Sequence, residues 1–140
     1  MVKMKISARN IFDGKIVAIK KGVTTSHVLI DVKGQILTAS ITEESVEGLH
    51  LAVGQAVKAV IKSSDVFVAV GPLKISARNS LDGKITEIRK GVTTSHVLID
   101  VKGQTVTASI TEESVADLGL KVGEDVKAVI KSSDVLVAVV

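Results

Sequence analysis

The run SHVLIDVKGQILTASITEES, residues 26–45, decides the fold. Its first part alternates, with Val28, Ile30 and Val32 on one side and His27, Leu29 and Asp31 on the other, the period of a half-buried strand. Lys33-Gly34 reads as a tight turn. QILTASI then alternates again, with Leu37, Ala39 and Ile41 sharing a face. At Thr42 the period changes. Thr42 is a residue of the N-capping type, and Glu43 and Glu44 fall in the first turn, where the helix dipole favours acids. Val46 and Leu49 are three apart, as one helical face requires. The run predicts strand, turn, strand, then a helix of about two turns.

Outward from this core, Lys5–Arg9 reads as a short strand and NIFDG (10–14) as a turn around Asp13-Gly14. KIVAIK (15–20) reads as a second strand that ends before Gly22. Beyond the helix, Val53-Gly54 closes it, and QAVKAVIK (55–62) is a strand in which Val57, Ala59 and Ile61 alternate with Lys58, Val60 and Lys62. Ser63-Ser64-Asp65 interrupts, and Val66–Val70 is the last strand. The order is β-β-β-β-α-β-β. Parallel crossovers would need more helix than this. The predicted class is all-β with one short helix per repeat: two tandem OB-like barrels of five to six antiparallel strands.

The repeat is explicit. Lys5–Val70 maps without a gap onto Lys74–Val139, with roughly four positions in five identical, a self-similarity that marks a duplicated structural unit. The predicted domains are 1–70 and 71–140, joined through Gly71-Pro72-Leu73. A unit of about 66 residues buries only about 60% of the surface of its unfolded chain and is marginal alone. The chain has no cysteine to staple it and no cysteine/histidine set for structural zinc. Self-association is the expected remedy.

Composition excludes several functions. Of two aromatic residues, Phe12 and Phe67, neither recurs in the second copy, so a nucleic-acid-binding OB module lacks its stacking platform. The net charge of +3 comes from the first copy alone: residues 71–140 carry nine basic and nine acidic residues. A basic face meant for nucleic acid should persist in both copies. There is no transmembrane run, and the start MVKMKIS has no apolar leader region, so no membrane partner and a cytoplasmic protein are expected. There is no phosphate loop of the ATPase type. His27, Ser26 and Asp31 could be drawn as a triad, but their strand neighbours supply no nucleophile turn. No enzyme is expected, and His27 and His96 read as structural or surface residues.

What remains is a set of polar residues at element ends. Ser7 and Arg9 share a strand face, Thr42 and Ser45 begin the helix, and Lys62 and Ser63 end a strand. The second copy repeats them as Ser76, Arg78, Thr111, Ser114, Lys131 and Ser132. All are donors and none is a carboxylate. Gathered together they would suit a tetrahedral oxyanion. With Glu43 and Glu44 pointing outward, such a site would accept a fully deprotonated dianion. It would reject hydrogen phosphate, whose proton would be left unpaired at a cost of about 1–3 kcal/mol.

KISARN, the ITxxS of ITEES, the VG that follows it and the closing VIKSS resemble the Mop (molbindin) domain, a TOBE-type OB barrel. The resemblance covers essentially the whole chain, twice, as in the tandem form. It implies cytoplasmic storage or homeostasis of molybdate or tungstate, with no cofactor and no protein-bound metal beyond the oxyanion. It also implies a homotrimer of tandem chains with anion sites at subunit interfaces. Its ligand positions fall on the twelve residues named above. One departure is GVTTSHV, at 22–28 and 91–97, where many relatives read GAVN. An oxyanion-sensing regulatory or scaffold module is the alternative.

Overall fold

A computed structural model of the chain describes residues 5–139. Part of the start read above as lacking a leader, Met1 and Met4 included, lies outside them. Among the described residues ten strands form two five-stranded antiparallel sheets, accompanied by two short helices. The first repeat supplies β1 (Asn10–Lys20), β2 (Thr25–Val32), β3 (Gln35–Thr42), α1 (Glu43–Gly48), β4 (Ala56–Ile61) and β5 (Val66–Ala69). The second supplies β6 (Asn79–Arg89), β7 (Thr94–Val101), β8 (Gln104–Thr111), α2 (Glu112–Leu118), β9 (Asp125–Ile130) and β10 (Leu136–Ala138). Single 3-10 turns at Ser63–Asp65 and Ser132–Asp134 precede the last strands.

The central hairpin is as the sequence reads. Val28 and Ile30 are fully buried and Val32, Leu37 and Ala39 nearly so, while β2 and β3 pair in unbroken register from Thr25↔Thr42 to Val32↔Gln35. The two-residue turn places Lys33 and Gly34 at φ 49° and 85°, the paired positive angles that match strand twist. Gly34 N–H donates to Asp31 Oδ1 at 2.8 Å.

The N-terminal part differs from expectation. Lys5–Arg9 is irregular rather than a strand, and Ile6 is 48% exposed instead of lying in a core. NIFDG is not a turn, because β1 runs straight through it. The reason lies at Gly14. A Cβ there would stand 2.5 Å from Ile30 Cγ2 and 2.9 Å from the Asp31 carbonyl oxygen. The missing side chain lets strand backbones approach closely rather than freeing φ for a turn. Asp13 instead faces Lys58 across the ladder as an ion pair. Each sheet thus has five strands, the fewer of the two numbers expected. Helix α1 buries Val46 but leaves Leu49 40% exposed; Leu51, beyond the helix, turns inward in its place. Lys62 and Ser63 lie just past the end of β4, with Lys62 capping the 3-10 turn.

The last strand of each sheet comes from the other repeat. The first sheet is ordered β10-β4-β1-β2-β3 and the second β5-β9-β6-β7-β8. One compact unit comprises the residues up to Ile61 with those from Ser132 onward; the other comprises Lys62–Lys131. The chain passes from unit to unit at Ile61/Lys62 and Lys131/Ser132, so Gly71-Pro72-Leu73 joins the repeats in sequence but lies inside the second unit. The exchanged strands fit because both repeats present the same edge: Leu136 pairs Val60 in the first unit as Phe67 pairs Val129 in the second.

Candidate functional site

Thr42 and Ser45 meet at the start of α1. Thr42 Oγ1 accepts from the Ser45 amide at 3.0 Å and donates to Ser45 Oγ at 2.8 Å. Thr111 and Ser114 repeat this at 3.1 and 2.8 Å. The capping threonine spends its own proton on the serine. The outward donor left by each pair is therefore the serine hydroxyl.

Glu43 does not point outward. Ser26 is fully buried and donates to Glu43 Oε2, while Lys21 Nζ stands 3.8 Å from Oε1. Ser95 donates to Glu112 in the same way, with Lys90 at 4.0 Å. The local reason is Gly22, whose amide reaches back to Ser26 Oγ at 3.4 Å. A Cβ on Gly22 would collide with the Thr25 carbonyl. The loop GVTTSHV folds tightly here, and its buried serine claims the first-turn acid. A carboxylate thus stands beside the capping threonine with both oxygens already facing partners.

Ser132 and Ser63 are held by two serines that sequence reading did not single out, and through them by the histidines it read as structural or surface residues. In the first unit Ser132 Oγ lies 2.6 Å from Ser40 Oγ, and Ser40 Oγ lies 2.8 Å from His27 Nδ1. In the second, Ser63 Oγ lies 2.6 Å from Ser109 Oγ, and Ser109 Oγ lies 2.8 Å from His96 Nδ1. All six are half-buried. The histidines are fixed by their register, opposite Ser40 and Ser109. Each also faces a basic residue across the ladder: Lys20 for His27 and Arg89 for His96.

Ser7, Arg9, Ser76 and Arg78 lie exposed on the irregular segments before β1 and β6, and Lys62 and Lys131 are exposed where the chain passes between units. Among the described residues, Arg9 and Arg78 form no ion pair, whereas the third arginine, Arg89, binds Glu87 through Nε at 2.6 Å. That hydrogen bond, aided by the charge of Arg89, holds the Glu87 carboxyl below its ordinary range and raises the Arg89 guanidinium. Each set of candidates thus resolves into a bonded Thr/Ser pair, a serine ending a histidine chain, and exposed cations.

A depression of about 580 Å³ in the second unit holds none of these residues. Asp82, Asp100 and Asp125 line it together with Lys84 and Lys127, and three carboxylates make it a poor host for an anion. Among the described residues no group of three or more His, Cys, Asp and Glu side chains is placed to hold a metal ion, and no described helix is long and apolar enough to cross a membrane.

A duplicated five-stranded curled sheet with one short capped helix, carrying cationic and hydroxyl donors at its element ends, defines the class of a small tandem-repeat β module. The chain belongs to the TOBE domain family, which matches residues 6–68 and again 75–137. It is similar to the molybdenum transport protein ModE of Azotobacter vinelandii, at 39% identity over 99% of this chain and 52% of that protein. It is similar also to the molybdenum-pterin-binding protein MopB of Rhodobacter capsulatus, at 35% over 98% and 52%. The chain spans about half the length of these curated relatives. Molybdenum-pterin-binding protein 3 of Clostridium pasteurianum matches as a single repeat, 44% identical over 46% of this chain and 97% of its own length. Among solved structures, the cytoplasmic molybdate-binding protein ModG, with molybdate bound, superposes with a TM-score of 0.93 at 40% identity, over 97% of this chain and 99% of that one.

Proposed function

We propose that the chain binds molybdate, or tungstate, as a storage and homeostasis protein of the cytoplasm, without catalysis. The likeness to molybdate-bound ModG, end to end at 40% identity, is the observation that carries this reading. The site chemistry supports it. Arg9, Lys62, Arg78 and Lys131 supply positive charge, Ser45 and Ser114 supply hydroxyl protons, and Ser7, Ser76, Ser63 and Ser132 complete a donor set for a tetrahedral dianion. Glu43 and Glu112 each hold a serine proton and face a lysine, which makes them poorer acceptors for the proton of hydrogen phosphate. Imperfect pairing of that proton disfavours phosphate by up to about 1–3 kcal/mol.

Arg9 and Arg78 are exposed and form no ion pair among the described residues, as expected of groups whose counter-charge is a ligand. We read the full pocket as completed by self-association, in a homotrimer of tandem chains, so that anion binding stabilises the assembly. Isothermal titration with molybdate, tungstate, sulfate and phosphate tests the function. Tight binding of the first two with little phosphate binding is expected, and R9A/R78A should abolish it while the circular dichroism spectrum stays unchanged. Absence of binding by all four anions refutes the reading.

The match to half of ModE's length favours a second reading, an anion-responsive module of a longer molybdenum transport protein. A pull-down in which partners change with molybdate would support it. A nucleic-acid role is disfavoured. Phe12 is buried and Phe67 alone is exposed, which is no platform for successive bases.

A further inference from the structure

The serine–serine–histidine chains carry a consequence for ligand binding, resting on the function proposed above. Two hydrogen bonds link three groups in each chain, Ser132–Ser40–His27 and Ser63–Ser109–His96. Each bond uses one proton. When Nδ1 carries no proton, it must accept from Ser40, and Ser40 must then accept from Ser132. Ser132 has now spent its only proton and turns lone pairs toward any ligand. When Nδ1 carries a proton, Nδ1–H donates to Ser40 and the Ser40 proton is released for Ser132; Ser40 then donates to Ser132, and the Ser132 hydroxyl is free to donate outward. The same count holds for Ser63.

An oxyanion only accepts hydrogen bonds, so it selects the second arrangement. We propose that His27 and His96, through Ser40 and Ser109, set the donor direction of Ser132 and Ser63 and couple oxyanion binding to protonation of the imidazoles. Neutral imidazole reaches the donating arrangement only in its Nδ1–H tautomer. The imidazolium adopts it in every case and adds a positive charge, so the bound anion favours proton uptake from solvent. Histidine is the side-chain type whose charge changes between about pH 5 and 8.

The charged groups on the surrounding elements are few. On β1, Lys20 pairs with His27, and on β6, Arg89 pairs with His96 with its guanidinium held by Glu87. Neither β3 nor β8 carries a charged residue. Asp134 and Asp65 lie in the 3-10 turns, and Glu43 and Glu112 at the helix starts are bonded to Ser26 and Ser95. His27 and His96 are thus positioning residues, acting on the ligand through a serine.

Titration calorimetry of the full chain with sodium molybdate, between pH 6 and 8 in buffers of unlike ionisation enthalpy, tests this. Net proton uptake on binding is expected, with affinity falling as pH rises by at most about tenfold per unit for each coupled proton. In H27N/H96N, whose amide can donate but does not titrate, binding should persist with no uptake and a flat pH profile. S40A/S109A, which cuts the chain, should also lose the uptake, and thermal melting confirms that each variant is folded. Molybdate binding without proton uptake in the unaltered chain overturns the coupling alone. Uptake that survives in both variants overturns the assignment to these histidines. Absence of binding at every pH overturns the proposed function and the coupling with it.

Discussion

Replacing Ser26 with alanine tests the link between the β2 loop and the helix start. Ser26 is wholly buried, and its Oγ serves two groups, donating to Glu43 and receiving the Gly22 amide at 3.4 Å. The amide contact is long and contributes little. The carboxylate contact is charge-assisted, a kind worth roughly 1.5–3 kcal/mol. The Glu43 side chain is 18% exposed and Lys21 stands 3.8 Å away, so water and the ammonium recover part of the loss. The expected cost of Ser26→Ala is about 1.5–2 kcal/mol, toward the lower end of that range. Glu112 is 29% exposed, so Ser95→Ala should cost less. Urea unfolding would show a lower midpoint at unchanged slope. A double-mutant cycle with Glu43→Gln should return a coupling energy above about 0.5 kcal/mol. A midpoint unchanged by Ser26→Ala, or a coupling near zero, would refute the reasoning.

Other outcomes follow from single features. His50 sits at φ 54° where the second repeat has Gly119 at φ 61°; His50→Gly should stabilise the chain by up to about 1 kcal/mol, read as a raised melting temperature. Residues 1–70 expressed alone retain β5 but lose β10, the strand that covers β4; light scattering should find dimers or larger assemblies that exchange β5, and a folded monomer would contradict this. The lowered Glu87 carboxyl contributes stability that is present above the unfolded-state value of 4.5 and is lost as pH falls through the folded value. Because the pair is exposed the effect on melting is small, and a carboxyl NMR titration that moves upward in Arg89→Ala is the sharper measurement.

The legible part of the fold was the part specified locally. Alternation across Val28–Val32 and Leu37–Ala39, the Lys33-Gly34 turn and the Thr42 cap each act within a few residues, and each stands as read. Asp13-Gly14 misled because a glycine needed for close strand approach looks the same as one needed for a turn. Lys5–Arg9 alternates but joins no strand ladder, and alternation alone does not make one. The exchange of β5 and β10 left no trace, since two nearly identical repeats offer identical edges and no residue names its partner. At the site, the Thr42–Ser45 pair was readable from its spacing. Ser40 was not: a lone serine in a strand reads as solvent face until register sets it opposite His27. Glu43 was misplaced because the demand on it comes from Ser26, in another element.

The exchanged strands bear on how the protein behaves on dilution. Two separate single-repeat chains that completed one another would depend on meeting, and would come apart as concentration fell. Covalent joining replaces that encounter with an intramolecular one, at an effective concentration on the order of millimolar for a short connection. Completion of each sheet by its tenth or fifth strand is then independent of how much protein is present. Duplication has in this sense converted an assembly step into folding.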